Sequence, residues 1–185
     1  MANFRLLHPD TEMKGQMMID FEQAAGSEEF LPILKRHNLD NLNPDEWYSA
    51  QRWLDVLQDI ASAGFMNLVS IGMQQVENAE WPDEFYEMSI ADVLRETNGI
   101  YQGLYRGTDI GEIAVEVIND THLKVILRIF EPDDLWYGNI YQIVKKFNST
   151  DLAFSIAYDE DALRRDEGGE KTIIHVKFKT RDKRK

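Results

Sequence analysis

Apolar residues recur at helical spacing through the first hundred positions and then switch to strict alternation. Met13, Met17 and Phe21 fall four apart, which predicts a helix ended by Gly26. Ser27 then caps a short helix with Glu28 and Glu29 in its first turn, carrying Phe30, Leu31 and Leu34 and ending near His37. Asn43-Pro44-Asp45-Glu46 reads as a helix start, with Asn as cap and Pro at the first helical position. That helix presents Trp47, Ala50, Leu54, Leu57 and Ala61 on one face, widened by Trp53, Val56 and Ile60, and Gly64 ends it. A further helix carries Phe65, Leu68, Val69, Met73 and Val76, with Gly72 on the same stripe, where a missing side chain permits close backbone approach. Trp81-Pro82 breaks the pattern. Ser89 and Asp92 form a capping-box variant opening the next helix, whose stripe is Ile90, Val93, Leu94, Thr97, Tyr101 and Leu104.

Beyond Gly107 the period becomes two. Ile113, Val115 and Val117 alternate with polar neighbours, as do Leu123, Val125, Leu127 and Ile129 across the Asn119-Asp120-Thr121 turn. Placing Asp120 at the apex sets Val117 opposite Leu123, Val115 opposite Val125 and Ile113 opposite Leu127, and it sets Glu116 opposite Lys124 and Glu112 opposite Arg128. A one-residue slip spoils both faces. A helix with Trp136, Ile140, Ile143, Val144 and Phe147 follows. Two strands then carry Leu152, Phe154, Ile156 and Tyr158, and Ile174, Val176 and Phe178. The charged stretch from Asp159 to Glu170, with Gly168-Gly169, reads as a mobile loop. The expectation is an α+β fold: an N-terminal helical half packed on a four-stranded antiparallel sheet of β-β-α-β-β order. Residues 1–12 read as a loose N-terminal extension, 13–180 as one domain, and 181–185 as a basic C-terminal tail.

Composition narrows the classes. The chain has 185 residues, 43% hydrophobic, enough for a sizeable core and too apolar for a disordered chain. It has no cysteine, which excludes disulfides, thiolate metal sites and a cysteine nucleophile. No apolar run approaches the roughly 20 residues of a membrane span, and the first residues lack the order of a signal peptide, so a cytoplasmic protein is expected. The net charge is −13, and seven of the Lys/Arg residues lie between Lys171 and Lys185. An acidic body repels nucleic acid and anionic lipid, so neither is expected as a partner. The basic end reads as a solvated terminus.

Candidate chemistry is sparse. The four histidines, His8, His37, His122 and His175, show no helical metal-site spacing, and no metal ligation is expected. A joint site from His122 and His175 requires their strands to be neighbours. Asp133-Asp134 reads as a helix cap. No phosphate loop, dinucleotide fingerprint or nucleophile elbow occurs, so no enzyme is expected; a hydrolase using carboxylates and His175 is the least supported reading. Tyr101, Trp136, Tyr137 and Tyr141 surround the helix–sheet junctions, where they serve a plain core or line a pocket.

Met13-Lys14-Gly15 followed by a helix resembles the opening of haem–nitric oxide/oxygen binding (H-NOX) domains. The stretch from Leu135 to Phe147 is similar to the helix after their second strand. 4-Vinyl reductase-type domains and transport protein particle subunits share the pattern. The resemblance implies a haem held by a histidine on the helix before the hairpin and by a Tyr-x-Ser-x-Arg clamp. Here the helix from Ser89 to Tyr105 has no histidine, and Leu127-Arg128-Ile129-Phe130-Glu131-Pro132-Asp133 replaces the clamp. The expectation is therefore a haem-free, small-molecule-binding sensory or regulatory domain without a cofactor. Its apolar pocket is expected between the Ser89–Tyr105 helix and the inward face of the hairpin, with Leu94, Thr97, Tyr101, Leu127, Trp136 and Tyr141 as ligand-binding residues. The alternative is a protein–protein assembly module without a ligand, whose partner is another protein or a second copy of the chain.

Overall fold

A computed structural model describes residues 3–25, 31–63, 67–148 and 152–179. The expected roles of Gly26, Ser27, Glu28, Glu29, Phe30, Gly64 and Phe65, and the tail 181–185, lie outside the described residues. The order is β1 (Glu12–Lys14), α1 (Gly15–Ala25), α2 (Leu31–Arg36), β2 (Trp47–Ser49), α3 (Ala50–Ala63), α4 (Leu68–Asn78), α5 (Ile90–Leu104), β3 (Tyr105–Arg106), β4 (Glu112–Asn119), β5 (His122–Arg128), α6 (Asp133–Phe147), β6 (Ala153–Tyr158) and β7 (Thr172–Lys179). This is the expected α+β class.

The main sheet is antiparallel with order β4-β5-β7-β6. The hairpin adopts the expected register: Ile113 faces Leu127, Val115 faces Val125, Val117 faces Leu123 and Glu116 faces Lys124. A shift after Val117 then sets Asn119 opposite His122. The charge argument holds in the backbone alone: among the described residues Glu116 makes no ion pair with Lys124, and none joins Arg128 to Glu112. Glu112 lies opposite Arg128, but the guanidinium turns to Asp109, donating to both carboxylate oxygens at 2.9 and 3.0 Å. The buried face of the sheet comprises Ile113, Leu123, Val125, Leu127, Ile174, Val176 and Phe178.

A second sheet, β2-β1-β3, was not anticipated. Met13 lies in its central strand, fully buried, rather than on a helix. The stripe of α1 is accordingly Met18 and Phe21, with Phe21 edge-on to Trp53 at 4.5 Å. Asn43–Glu46 is a turn, not a helix start, because Trp47–Ser49 pair with β1 as a strand. The Asn43 side chain accepts from the Asp45 amide within that turn. The turn caps α1 instead: the Gly15 amide donates to the Glu46 carbonyl and the Gln16 amide to the Pro44 carbonyl, satisfying two orphan donors of the helix. Gly15 is required there, since a Cβ would strike the Asn43 carbonyl.

Three further expectations are corrected. The stretch from Asp159 to Glu170 is pinned rather than mobile. The buried Arg165 guanidinium donates to the Phe130 carbonyl at 3.2 Å and the Arg5 carbonyl at 2.6 Å, and the Asn3 amide donates to Asp166. The same bonds tie down the expected loose extension, whose Phe4, Leu6 and Leu7 pack on the core. Asp133 is not a cap. Pro132 occupies that position, and the Asp133 carboxylate instead accepts from the Thr172 hydroxyl and the Asp166 amide.

Helices α4 and α6 make the most extensive helix–helix contact. Two glycines set it. A Cβ on Gly72 of α4 would strike the Leu135 carbonyl of α6, and one on Gly138 of α6 would strike the Val69 carbonyl of α4. Reciprocal small residues bring the two backbones together.

Candidate functional site

Helix α5 starts as the sequence predicts: the Ser89 hydroxyl accepts from the Asp92 amide. Its buried stripe is Val93, Leu94, Thr97 and Tyr101. Three bonds draw β4 against this helix. The Tyr101 hydroxyl donates to the Ile110 carbonyl, the Gln102 amide group donates to the Gly111 carbonyl, and the Ile113 amide donates to Asn98. Two of the residues expected to line a pocket between α5 and the hairpin, Leu94 and Leu127, do not line the cavity described below. Both are buried in plain core.

The cavity lies on the other side of α5, where α1, α4 and α6 meet it. Its volume is about 120 Å³. Thr97, Tyr101 and Trp136 line it, together with Tyr105, Trp81 and Ile143. Exposed Ile100 and Ala79 mark its open side. Tyr141 is elsewhere, packing on Phe154 of β6 at 5.3 Å. The structure thus brings together three of the six expected ligand-binding residues.

The hydroxyls of Thr97 and Tyr101 call for no ligand. Thr97 donates to the Leu94 carbonyl at 2.6 Å, and Tyr101 donates to Ile110. The unsatisfied groups come from the neighbouring helices. Gln75 Oε1 on α4 and Asn139 Oδ1 on α6 are buried without a hydrogen-bond partner among the described residues, and both residues line the cavity. Asn139 is 7% exposed. A buried unpaired polar group costs about 1–3 kcal/mol, so such atoms mark places where something else can bind. Sequence reading missed both. The available signal was a polar residue on the apolar side of each helix: Asn139 precedes Ile140 and follows the glycine contact by one position.

Beside the cavity lies a buried carboxylate, Glu131, 1% exposed. It accepts from the Tyr105 hydroxyl at 2.8 Å and the Trp136 indole at 2.7 Å. Burial raises its pKa above the ordinary value, and the two hydrogen bonds partly offset this. Burial and the adjacent Glu131 raise the Tyr105 and Tyr101 phenols in turn, so both stay protonated.

The histidines lie away from this region. His37 bonds Asp59 at 3.0 Å, and His8 bonds Asp10. β5 and β7 are neighbours, so His122 and His175 do meet, on the outer face of the sheet. His122 Nε2 and His175 Nδ1 share a hydrogen bond of 2.7 Å, and His175 Nε2 bonds Asp159 at 2.8 Å. Burial lowers the His122 pKa, with the His175, Lys177 and Lys124 charges adding to it. The chain of bonds ends at His122 with no nucleophile hydrogen-bonded to it among the described residues. No group of three metal-ligating side chains occurs among them either. Among the described residues no helix is long and apolar enough to cross a membrane.

No protein-family model matches the chain, and no curated protein matches it. Solved structures do. An oxygen binding H-NOX domain related to soluble guanylate cyclases superposes with a TM-score of 0.68 at 14% identity, covering 90% of this chain and 95% of that one. The chain has an H-NOX-like fold. The H-NOX of T. tengcongensis, as a point mutant, gives 0.67 at 14% identity, covering 90% of this chain and 98% of that one. An H-NOX protein from S. oneidensis gives 0.67 at 12% identity, covering 90% and 96%. The fold expected from the Met13-Lys14-Gly15 opening and the β-β-α-β-β order is therefore present, at identities that speak for the fold alone.

Proposed function

We propose that this chain is a sensory or regulatory domain that works without haem and holds a small molecule in the cavity between α1, α4, α5 and α6. The observation that carries the reading is the cavity, lined by apolar and aromatic side chains. This is the usual make-up of a ligand site. The structural neighbours include a domain described as oxygen binding, which supports a ligand-holding role for the fold.

The residues present do not fit a haem. Among the described residues no histidine lines the cavity. The buried Glu131, where a propionate clamp would be needed, presents an acid that repels propionates. The volume of about 120 Å³ is below that of an engineered cavity, about 150 Å³, that holds benzene. Because α4 and α6 both wall the cavity and cross at Gly72 and Gly138, a bound molecule would press on that crossing, and occupancy would be transmitted as a change in the α4–α6 packing.

The test combines haem titration with an apolar probe. Haem should give no stoichiometric, sharp Soret band. A band abolished by replacing one histidine would overturn the haem-free reading. Xenon, a smaller apolar probe, at tenfold its Kd should stabilise the protein by about 1.4 kcal/mol, and Val76→Phe, which fills the cavity, should remove that gain. If xenon stabilises neither form, the cavity does not bind. The assembly-module reading rests on Val117 and Ile118, 50% and 47% exposed at the end of the hairpin. Native mass spectrometry showing a stable dimer lost on Ile118→Lys would favour it.

A further inference from the structure

The two edges of the four-stranded sheet differ. An edge strand offers unpaired N–H and C=O groups to any other strand, and proteins guard it with charge, a bulge or a covering element. The β4 edge has all three: Glu112 and Glu116, a register shift after Val117, and α5, whose Asn98 accepts from the Ile113 amide. The β6 edge has none of them. Ala153–Tyr158 contains no charged residue, proline or glycine, and it pairs with β7 without a shift. The Asp159 amide donates to the Ile173 carbonyl, which fixes the phase of this ladder. Ala153, Ser155 and Ala157 therefore bond to β7, whereas the backbone groups of Phe154, Ile156 and Tyr158 point off the edge. Among the described residues only the Ile156 carbonyl of these has a partner, the Tyr137 hydroxyl at 2.8 Å, and a carbonyl accepts two bonds.

The flank of this edge is graded in charge. Tyr137 and Tyr141 of α6 pack on Tyr158 and Phe154 at 4.9 and 5.3 Å. The same helix face continues to Asp134 at one end, which accepts from the Tyr158 hydroxyl, and to Lys145 at the other. Exposed Glu160 and Asp161 add to the acidic end, where Arg164 is paired with Glu167. Lys145 is exposed, as is Lys179 opposite Ala153, so the other end is basic.

We propose that the β6 edge pairs with β6 of a second copy of this chain, antiparallel about a two-fold axis at Ile156, so that the two sheets become one. This register sets Phe154 opposite Tyr158 of the second copy and Ile156 opposite its own equivalent, which uses all three outward-facing residues. The two-fold axis also inverts the charge gradient. Lys145, one helical turn beyond the Tyr141–Phe154 contact, meets Glu160 of the second copy, whereas a parallel arrangement opposes acid to acid. The net charge of −13 opposes association elsewhere, and the uncharged strand is where two copies approach with least repulsion. The interface is independent of the cavity and of the hairpin end.

The test combines analytical ultracentrifugation of the full chain with amide hydrogen exchange. The dimer should have a micromolar Kd, since a strand edge buries little area. The Phe154, Ile156 and Tyr158 amides should be protected in it and should exchange on dilution. Lys145→Glu and Glu160→Lys, both at exposed positions, should each weaken the dimer about tenfold, and the double variant should restore it. Ile118→Lys, at the other edge, should leave it unchanged. A chain that stays monomeric up to about 1 mM overturns the proposal, and a different protein's strand becomes the candidate for this edge. A dimer whose three amides exchange as in the monomer, or whose charge variants do not rescue one another, overturns it as well, because the copies then meet elsewhere.

Discussion

Gly138→Ala separates the effect of close helix packing from that of helix propensity. The added Cβ would sit inside the contact distance of the Val69 carbonyl oxygen, a backbone atom that cannot rotate away. Either α4 moves outward or the new methyl distorts α6. Overpacking of this kind costs about 1–3 kcal/mol. Alanine's better helix propensity returns about 0.8–1.0 kcal/mol. The net expectation is a loss of about 0–2 kcal/mol for Gly138→Ala. Gly72→Ala should behave alike, since its Cβ meets the Leu135 carbonyl. Gly99→Ala on α5 is the control. Its Cβ would meet only the tip of the Glu96 side chain at 3.9 Å, so propensity alone should stabilise by up to about 1 kcal/mol. Urea denaturation reads all three, with the slope checked so that midpoints can be compared. A chain of this size shifts its Tm by roughly 2–4 °C per kcal/mol, so the opposite signs are resolvable. If Gly138→Ala stabilises as much as Gly99→Ala, the α4–α6 crossing is looser than described, and the proposed route from cavity to crossing fails with it.

Three further outcomes follow from the packing. Burial and the facing Asp133 charge push the Asp166 pKa up from 3.8 to about 6. A raised carboxyl pKa means that the folded chain holds its proton longer than the unfolded one, so this group's contribution is full below about pH 4 and is lost as pH rises towards 6; Asp166→Asn should flatten that part of the stability–pH curve, and an unchanged curve would refute the assignment. Arg165→Met should cost about 2–4 kcal/mol, since two carbonyls lose charged donors, and should speed amide exchange in residues 159–170; protection equal to the parent's would show that the loop is held by other means. A double-mutant cycle should give about 0.2–1 kcal/mol of coupling between Asp109 and Arg128 and less between Glu112 and Arg128, measured by the same denaturation.

What the chain determines locally was legible without coordinates. The Ser89 cap, the stripe of α5, the Trp81-Pro82 break and the hairpin register all depend on residues a few positions apart or on one alternation matching another. The register was over-determined, because apolar and charged faces agree on a single pairing. Gly72 could be read as a close approach, since it interrupts an apolar stripe; its partner, Gly138, could not be matched to it. Tertiary structure decided everything that needed a distant strand or helix. Trp47–Ser49 look helical by periodicity, yet the unpaired edge of Glu12–Lys14 takes them as a strand, and backbone pairing outweighs a weak local preference. Arg128 prefers the better geometry of Asp109 to the facing Glu112. The cavity shows the same division. Thr97, Tyr101 and Trp136 could be placed on inward faces by spacing, but that they line a gap towards α1, α4 and α6 is decided by how the helices pack. Gln75 and Asn139 stand out only there: an amide is unremarkable in a helix sequence until packing leaves its oxygen buried without a donor.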